Sequence, residues 1–314
     1  FHNLNTAMPE TSTSTSSLSW VLRPYIATSN DGQPLATSIH DMIFGFPYDR
    51  LPSSTSSSSP LSSLLTVLVL RPEVCFGLCA AYYLSKPMLK WIVQCTGFDG
   101  KSSKIFKICV AIHNLLLAIF SFVCCINSWP IVINHFASRG WESVYCDHDG
   151  SLWNDSGLGG WVTIFYWSKY YEFVDTWVLI FKRKEPSFLQ VYHHIGIVLF
   201  MWGGVISQSA WLLIVLLLNS GIHTLMYTYF FAKTLYPNLV IRGAKNLTTA
   251  QIVQFFVGIL YTLPIHLLGE SCDSRASRFA VACIQLYALG LIFLFAAFRS
   301  AKYNKKTNGN KKNE

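Results

Sequence analysis

The sequence predicts an all-α membrane protein with about seven transmembrane helices, and three observations lead to that fold class. Of the 314 residues, 52% are hydrophobic and only 13% are charged, whereas a soluble domain carries about 25% charged residues. Aromatic residues make up 15% of the chain, and Trp and Tyr favour membrane interfaces. Several apolar segments are each close to the roughly 20 residues that a helix needs to cross a bilayer. A soluble protein of this composition would have too few polar groups to cover its surface.

The apolar segments divide the chain into three regions. Residues 1–62 are rich in Ser, and we expect them to form a disordered N-terminal segment. Residues 63–298 hold the transmembrane domain, and residues 299–314 form a basic tail. The predicted spans lie at about 64–85, 105–128, 158–181, 186–206, 210–232, 249–268 and 279–298. Pro72 could begin the first helix instead, which would shift that span toward 72–92.

The basic residues are concentrated on one side of the predicted bundle, and this asymmetry predicts the orientation. Cytoplasmic loops carry the excess of Lys and Arg in membrane proteins, so we expect a lumenal N-terminus and a cytosolic C-terminus. The net charge of +8 follows this bias, so we expect no nucleic-acid partner. The predicted cytosolic side carries Lys86, Lys90, Lys101, Lys104, Lys107, Lys182, Arg183, Lys184, Lys233, Arg242, Lys245, Arg299, Lys302, Lys305, Lys306, Lys311 and Lys312, and the other side carries Arg23, Arg50, Arg139, Arg275 and Arg278.

Two further features depend on that topology. Cys146 and Cys272 fall in predicted lumenal loops, and since the lumen is oxidising, we predict a disulfide between them. The alternative is two free thiols. Lys311 and Lys312 stand fourth and third from the last residue, which matches the dilysine retrieval signal of endoplasmic-reticulum membrane proteins. The alternative is a solvated basic tail.

Polar side chains interrupt three apolar spans at a similar depth. A charged residue at the centre of a membrane helix costs roughly 2.5–3.5 kcal/mol on insertion scales, so such residues indicate a functional site. Helical rise places Glu172, Asp175, His193, His223 and Asn114 of the second span roughly 9–14 Å from the predicted cytosolic end, while the lumenal halves are almost entirely apolar. The set comprises Lys169, Glu172, Asp175, Gln190, His193, His194, Asn219 and His223. A polar chamber with an apolar channel beyond it suits a fatty acyl-CoA; the alternative for the charged face 169–175 is a structural ion cluster.

At these residues the chain resembles the ELO family of fatty acid elongases. The resemblance rests on KYYEFVDT (169–176), FLQVYHH (188–194), NSGIHTLMYTY (219–229) and TTAQIVQ (248–254), in an order and spacing that agree over roughly residues 100–298. The usual family box is His-x-x-His-His, whereas this chain has Gln190 in place of the first His. Gln at that position is similar to a subset of polyunsaturated fatty acid elongases from microalgae and other lower eukaryotes, and it implies C18 polyunsaturated acyl-CoA substrates of the Δ9-elongase type.

The resemblance implies a barrel-like bundle of six helices around an acyl tunnel, and a 3-oxoacyl-CoA synthase. Such an enzyme condenses acyl-CoA with malonyl-CoA to 3-oxoacyl-CoA, CoA and carbon dioxide. It implies no bound cofactor or metal, and as partners the 3-ketoacyl-CoA reductase, 3-hydroxyacyl-CoA dehydratase and enoyl-CoA reductase of the cycle.

Roles for individual side chains follow as hypotheses. His193 would accept the acyl group, and His194 and His223 would support proton transfer. The carboxylates would fix imidazole tautomers, and an amide would donate to an oxyanion. The expected catalytic residues are His193, His194, His223, Asp175, Glu172, Lys169, Asn219 and Gln190, and those expected to bind CoA are Lys182, Arg183, Arg242, Lys245 and Tyr227.

Three other functions remain open at the level of sequence. A histidine-box desaturase would need about eight histidines to hold two irons, and only nine exist here, of which His2, His40, His135 and His148 lie outside the spans. A seven-helix receptor would not require a charged face opposite paired histidines. A non-catalytic lipid-binding homologue is the third alternative, because Gln190 departs from the commonest pattern.

Overall fold

The computed structural model of the chain describes residues 33–51, 70–241 and 243–310, the stretch 304–310 by its backbone alone. Within these residues the fold is entirely helical and contains no strands. The predicted CoA ligand Arg242 and the dilysine pair of the tail lie outside the described residues. The α-helices are α1 (Ile39–Ile43), α2 (Pro72–Thr96), α3 (Lys104–Arg139), α4 (Leu158–Tyr171), α5 (Val174–Phe181), α6 (Phe188–Ile206), α7 (Leu212–Leu235), α8 (Ala244–Leu268) and α9 (Arg275–Asn310).

Six helical segments form a closed ring, and α2 lies outside it. Around the ring, α3 contacts α7, α7 contacts α8, α8 contacts α9, α9 contacts α6, α6 contacts α4, and α4 contacts α3. The helix α2 packs on α5 and α6 from outside. The ring agrees with the barrel-like bundle of six helices expected from the sequence.

Five of the described helices are long and apolar enough to cross a membrane, namely α3, α6, α7, α8 and α9. Their outward faces carry large exposed apolar side chains such as Ile112, Phe256 and Phe293, which suit contact with lipid tails. The chain is therefore a polytopic all-α membrane protein. The helix α2 begins at Pro72, as in the alternative placement of the first span. The total of seven spans stays a prediction.

The third predicted span, 158–181, is not one continuous helix. It divides into α4 and α5 around Glu172 and Phe173. At the division the backbone N–H groups of Phe173, Asp175 and Thr176 donate to carbonyls three residues earlier, at 3.1–3.2 Å. These i→i−3 bonds are tighter than those of an α-helix. The break therefore changes the angular relation between Glu172 and Asp175 that a continuous helix would impose.

The two ends of the bundle are closed in different ways. At the basic end, the Gly100 N–H donates to the Phe181 carbonyl at 2.9 Å, and Arg183 Nε donates to the Phe98 carbonyl at 3.0 Å. At the disulfide end, Cys146 and Cys272 are bonded, with their Cα atoms 4.8 Å apart. The predicted disulfide is confirmed. It joins the connection after α3 to the connection between α8 and α9.

The segment 33–51 is ordered, so the prediction of disorder over residues 1–62 is wrong for this part. Leu35, Ala36 and Met42 are buried, and Ser38 caps α1 by accepting from the backbone N–H of Asp41. Backbone hydrogen bonds attach the segment to the ends of α6 and α9 at the disulfide end. These few apolar side chains were masked by the Ser-rich composition around them. Residues 1–32 and 52–62 lie outside the described residues.

The helices α6 and α9 approach closely because each offers a glycine to a tyrosine of the other. The Tyr287 ring of α9 lies where a Cβ at Gly196 of α6 would be, and the Tyr192 hydroxyl of α6 lies where a Cβ at Gly290 of α9 would be. A larger residue at either glycine would have to displace the opposite ring. The pairing fixes the position of α6 along α9.

Candidate active site

Three pairs of polar side chains connect α4 and α5 to α7 inside the ring. Lys169 Nζ donates to Asn219 Oδ1 at 2.9 Å. Glu172 Oε1 lies 3.4 Å from His223 Nδ1, and the Tyr227 hydroxyl donates to Asp175 Oδ2 at 2.6 Å. The members before α6 (169, 172 and 175) are three residues apart, and those on α7 (219, 223 and 227) are four residues apart. Successive pairs therefore follow successive helical turns. We call these six residues the polar ladder.

The first pair of the ladder is fully enclosed. Lys169 is 0% exposed, and its ammonium also donates to Glu172 Oε1 at 2.8 Å and lies 4.0 Å from the centre of the Phe165 ring. Because Asn219 uses Oδ1 to accept from Lys169, the Nδ2 amide group of Asn219 is left as its donor. Asn219 also lines the cavity described below. The side chain therefore presents N–H groups toward that cavity.

A histidine that sequence reasoning did not select completes the third pair. His113 of α3 is buried, and its Nε2 lies 2.8 Å from Asp175 Oδ1. Its Nδ1 lies 3.1 Å from the Tyr171 hydroxyl. The sequence signal was its place in an apolar run beside Asn114, whose amide instead donates to the Val110 carbonyl of the same helix. His113 thus anchors α3 to the ladder.

A cavity extends from His193 into the apolar half of the bundle. His193 and Asn219 line it at the level of the ladder, and Trp211 and Thr262 line it further along their helices. From Asn219 to Trp211 the cavity follows α7 for roughly 12 Å. Most of the other lining side chains are apolar: Ile197, Ile214, Val215, Leu218, Phe255, Ile259, Ile284 and Ala288. Its shape and lining suit a hydrocarbon chain.

The two adjacent histidines of α6 have different surroundings. His193 lines the cavity, and its ring centre is 6.4 Å from that of His223. His194 instead packs against the stacked rings of Tyr82 and Phe173, with 6.1 and 6.2 Å between ring centres. Its Nδ1 has no hydrogen-bond partner among the described residues. Only His193 of this pair belongs to the cavity wall.

Gln190 lies on the same side as His194, away from the cavity. Its Nε2 donates to Thr176 Oγ1 at 3.0 Å, and the Tyr82 hydroxyl is 2.8 Å from the same oxygen. Gln190 therefore joins α6 to α5 by a hydrogen bond, and Thr176 extends the connection to Tyr82 of α2.

Glu172, His193 and His223 have the donor types of a metal site. One potential ligand atom from each residue lies within 4.8 Å of those from the other two, and Glu172 Oε2 has no hydrogen-bond partner among the described residues. However, the Lys169 ammonium is already bound to the same carboxylate at 2.8 Å. A second cation at this carboxylate would be repelled by that charge. The contacts therefore support an ion-paired acid–base cluster.

Three of the residues predicted to bind CoA, namely Lys182, Arg183 and Lys245, lie around the basic end, whereas Tyr227 does not. Arg183 and Lys245 are exposed, and Lys182 is half-buried. Burial, followed by repulsion from Lys184 and Lys107, lowers the pKa of Lys182. Crowded ammonium groups of this kind favour an anion as their partner. Tyr227 is buried in the ladder, so its hydroxyl serves Asp175 and does not reach this surface.

Comparison with known proteins gives a consistent family. Residues 67–311 match the ELO: GNS1/SUR4 family. Fatty acid elongase 1 of Trypanosoma brucei brucei is 33% identical over 212 residues, covering 65% of this chain and 69% of that protein. Fatty acid elongase 2 of the same organism is 29% identical over 201 residues, covering 61% and 73%. Fatty acid elongase sre1 of Dictyostelium discoideum is 36% identical over 163 residues, covering 51% and 59%.

Proposed function

Because the chain belongs to the ELO (GNS1/SUR4) family, we propose that it is a fatty acid elongase that condenses acyl-CoA with malonyl-CoA. The observation that carries the proposal is the place of His193 at the junction of the polar ladder and an apolar cavity. An acyl chain in the cavity would place its thioester beside this imidazole. The relatives at about 30% identity are named fatty acid elongases.

In the proposed first half-reaction, a ring nitrogen of His193 attacks the thioester carbon. The carbon–sulfur bond breaks, CoA leaves as a thiolate, and the His193 ring remains as a positively charged acyl-imidazolium. The Nδ2 group of Asn219 is placed to donate to the oxyanion that forms during attack, because its Oδ1 is held by Lys169 at 2.9 Å. The dry cavity limits hydrolysis of the intermediate.

In the second half-reaction, malonyl-CoA loses carbon dioxide by cleavage of its carboxyl carbon–carbon bond. The resulting enolate carbon attacks the acyl carbonyl, the carbon–nitrogen bond breaks, and His193 returns to its starting form. His223, paired with Glu172 at 3.4 Å, is the imidazole of the ladder nearest to His193 and would bind the enolate oxygen. His194, packed against Tyr82 and Phe173, supports the position of α6 in this scheme.

The finer assignments belong to the same proposal. Gln190 favours C18 polyunsaturated acyl-CoA as the substrate class. Lys182, Arg183 and Lys245 would bind CoA phosphates at the basic end, which we place in the cytosol of the endoplasmic-reticulum membrane, with the disulfide end in the oxidising lumen. The reductases and the dehydratase that complete the cycle would act as partners there. No resident cofactor or metal enters the scheme.

The test is a condensation assay with the full chain in lipid nanodiscs, labelled malonyl-CoA and a panel of acyl-CoAs. We expect 3-oxoacyl-CoA two carbons longer than each substrate, with highest rates for C18 polyunsaturated chains. His193→Ala should reduce the rate at least about 10³-fold, since covalent catalysis is lost. His266→Ala, at an exposed histidine of α8, is the matched control and should retain the wild-type rate. Retention of activity by His193→Ala would refute the role of His193, and binding of acyl-CoA without condensation by the wild type would indicate a lipid-binding protein.

A further inference from the structure

Tyr287 of α9 makes two contacts with one residue of α6. Its side chain is buried, at 3% exposed. The hydroxyl donates to the His193 backbone carbonyl at 2.9 Å, and the same oxygen lies 2.9 Å from His193 Nδ1. None of the sequence motifs included this tyrosine. It also lines the cavity next to His193.

The number of hydrogens at this contact determines which atom donates and which accepts. A tyrosine hydroxyl has one hydrogen and two lone pairs, and a backbone carbonyl can only accept. The hydrogen of Tyr287 is therefore committed to the carbonyl. The Nδ1 contact then requires His193 to donate, so Nδ1 carries the hydrogen. In a neutral imidazole the lone pair must then be on Nε2.

We propose that Tyr287 is a positioning residue that holds His193 in the Nδ1–H tautomer, so that Nε2 is the nitrogen that accepts the acyl group. The proposal rests on the proposed function and assigns the attacking atom within it. Nε2 forms the bond to the acyl carbon, the thioester carbon–sulfur bond breaks, and the electron pair leaves on the CoA sulfur. Nδ1 keeps its hydrogen, and Tyr287 accepts from it as the ring gains positive charge.

The packing around Tyr287 prevents its hydroxyl from turning away. The ring lies against Gly196 in the space where a larger residue would have a Cβ. Ring centres of Tyr192 and Phe200 are 5.4 and 5.2 Å from that of Tyr287. The donor and the acceptor therefore stay aligned without a mobile loop. Orientation by a fixed second group is the way in which imidazoles are set for ligation and catalysis.

The first test compares Tyr287→Phe with Tyr192→Phe. Tyr192 is a suitable control because its hydroxyl, 3.4 Å from the Tyr287 carbonyl, contacts no histidine. Release of CoA from acyl-CoA without malonyl-CoA measures the first half-reaction in a single turnover. We expect Tyr287→Phe to slow this step about 10–100-fold with an unchanged KM for acyl-CoA, and Tyr192→Phe to match the wild type. Equal rates for the two variants would overturn the proposal.

The second test replaces His193 by Nδ1-methylhistidine. The methyl group fixes the lone pair at Nε2 whether or not residue 287 has a hydroxyl, and in the Tyr287→Phe background it fills the space that the hydroxyl leaves. We expect the double change to recover at least about tenfold of the rate lost in Tyr287→Phe. A purely structural role for Tyr287 predicts no recovery, and that result would overturn the proposal.

The two hypotheses fail in distinguishable ways. A wild-type protein that neither releases CoA nor forms 3-oxoacyl-CoA would refute the proposed function and, with it, the role of Tyr287. An active wild type whose rate is insensitive to Tyr287→Phe would refute the role of Tyr287 alone. Thermal unfolding of each variant in nanodiscs shows whether a slow variant is folded.

Discussion

The half of the bundle that holds the polar ladder and the half that ends at the disulfide use the same ring of helices, yet they are stabilised differently. In the ladder half, helices are joined by buried polar and charged side chains, such as Lys169 of α4 with Asn219 of α7 at 2.9 Å. At the disulfide end they are joined by a covalent bond, by hydroxyl contacts such as Ser209 with Ser277 at 2.6 Å, and by the fully buried ring of Trp211. The ring of helices therefore does not need a buried ammonium–carboxylate pair at both ends, which supports the proposal that the ladder serves chemistry.

The largest expected effect is on the stability of the ladder half. Lys169→Met leaves Glu172 buried without its ammonium partner, and breaking such a pair costs about 3–5 kcal/mol. Denaturant unfolding in mixed micelles measures the change. Lys90→Met is the control, because the ion pair between Lys90 and Glu185 is exposed and worth no more than about 1 kcal/mol. Equal losses in the two variants would mean that the ladder does not hold the helices together.

The disulfide gives the next largest effect. The cysteines are 126 residues apart, and a loop of that order is worth at most about 5 kcal/mol in the chain-entropy account. Cys146→Ser with Cys272→Ser should lower the free energy of unfolding by up to that amount and leave condensation almost unchanged. Cys95→Ser, at an exposed free thiol, is the matched control. A strong loss of condensation in a folded double variant would show that the two halves are coupled.

The pH dependence of stability should report on the disulfide end. Burial raises the pKa of Asp273 to about 6, above its ordinary value of 3.8, and burial raises that of Asp147 as well. The native state therefore binds these protons more tightly than the unfolded state, and stability falls as the pH rises from about 4 to about 6. The loss for Asp273 is about 3 kcal/mol.

Thermal unfolding of wild type and Asp273→Asn at pH 4.5 and pH 7.5 checks this sign. We expect the wild type to be more stable at the lower pH and Asp273→Asn to show a smaller difference between the two. Arg278 is the nearby cation that opposes the shift. A wild type that gains stability between pH 4.5 and pH 7.5 would contradict the prediction.

The smallest effect concerns chain length at the apolar end of the cavity. Trp211 lines the cavity, and its indole N–H donates to Ser277 Oγ at 3.0 Å. Trp211→Leu should extend the cavity and raise the relative rate for acyl-CoAs two carbons longer by about 30-fold. This estimate takes ~1 kcal/mol for each of the two accepted methylenes. Product lengths from a mixture of acyl-CoAs measure the shift.

A second tryptophan supplies the control for that experiment. Trp202 is also buried, and its indole donates to the Leu70 carbonyl at 2.8 Å, but it does not line the cavity. Trp202→Leu should reduce stability without altering product length. If both variants shift the products alike, the effect reflects general loosening of the bundle.

The sequence predicted those features that depend on residue type and helical period. The ladder was accessible because Lys169, Glu172 and Asp175 recur every three residues in an apolar span, and the disulfide because Cys146 and Cys272 fall on one side of the membrane. The orientation, the compartment and the roles of the site residues stay predictions.

The missed features depend on contacts between segments distant in sequence. Tyr287 lies 94 residues from His193 on a helix with no other sign of function, and His113 meets Asp175 across 62 residues. The break at Glu172 was hidden because its i→i−3 hydrogen bonds leave no mark in composition. Leu35 and Ala36 become buried only because the disulfide end offers them partners.

The reciprocal packing of a tyrosine on a glycine between α6 and α9 has a consequence for which substitutions this protein can accept. The space beside Gly196 holds the Tyr287 ring, and the space beside Gly290 holds the Tyr192 hydroxyl. These two contacts fix the register of α6 against α9. A slide by one turn would drive both rings into backbone. Substitutions elsewhere, in the tunnel or on the lipid-facing surface, would therefore leave the alignment of His193 with Tyr287 unchanged.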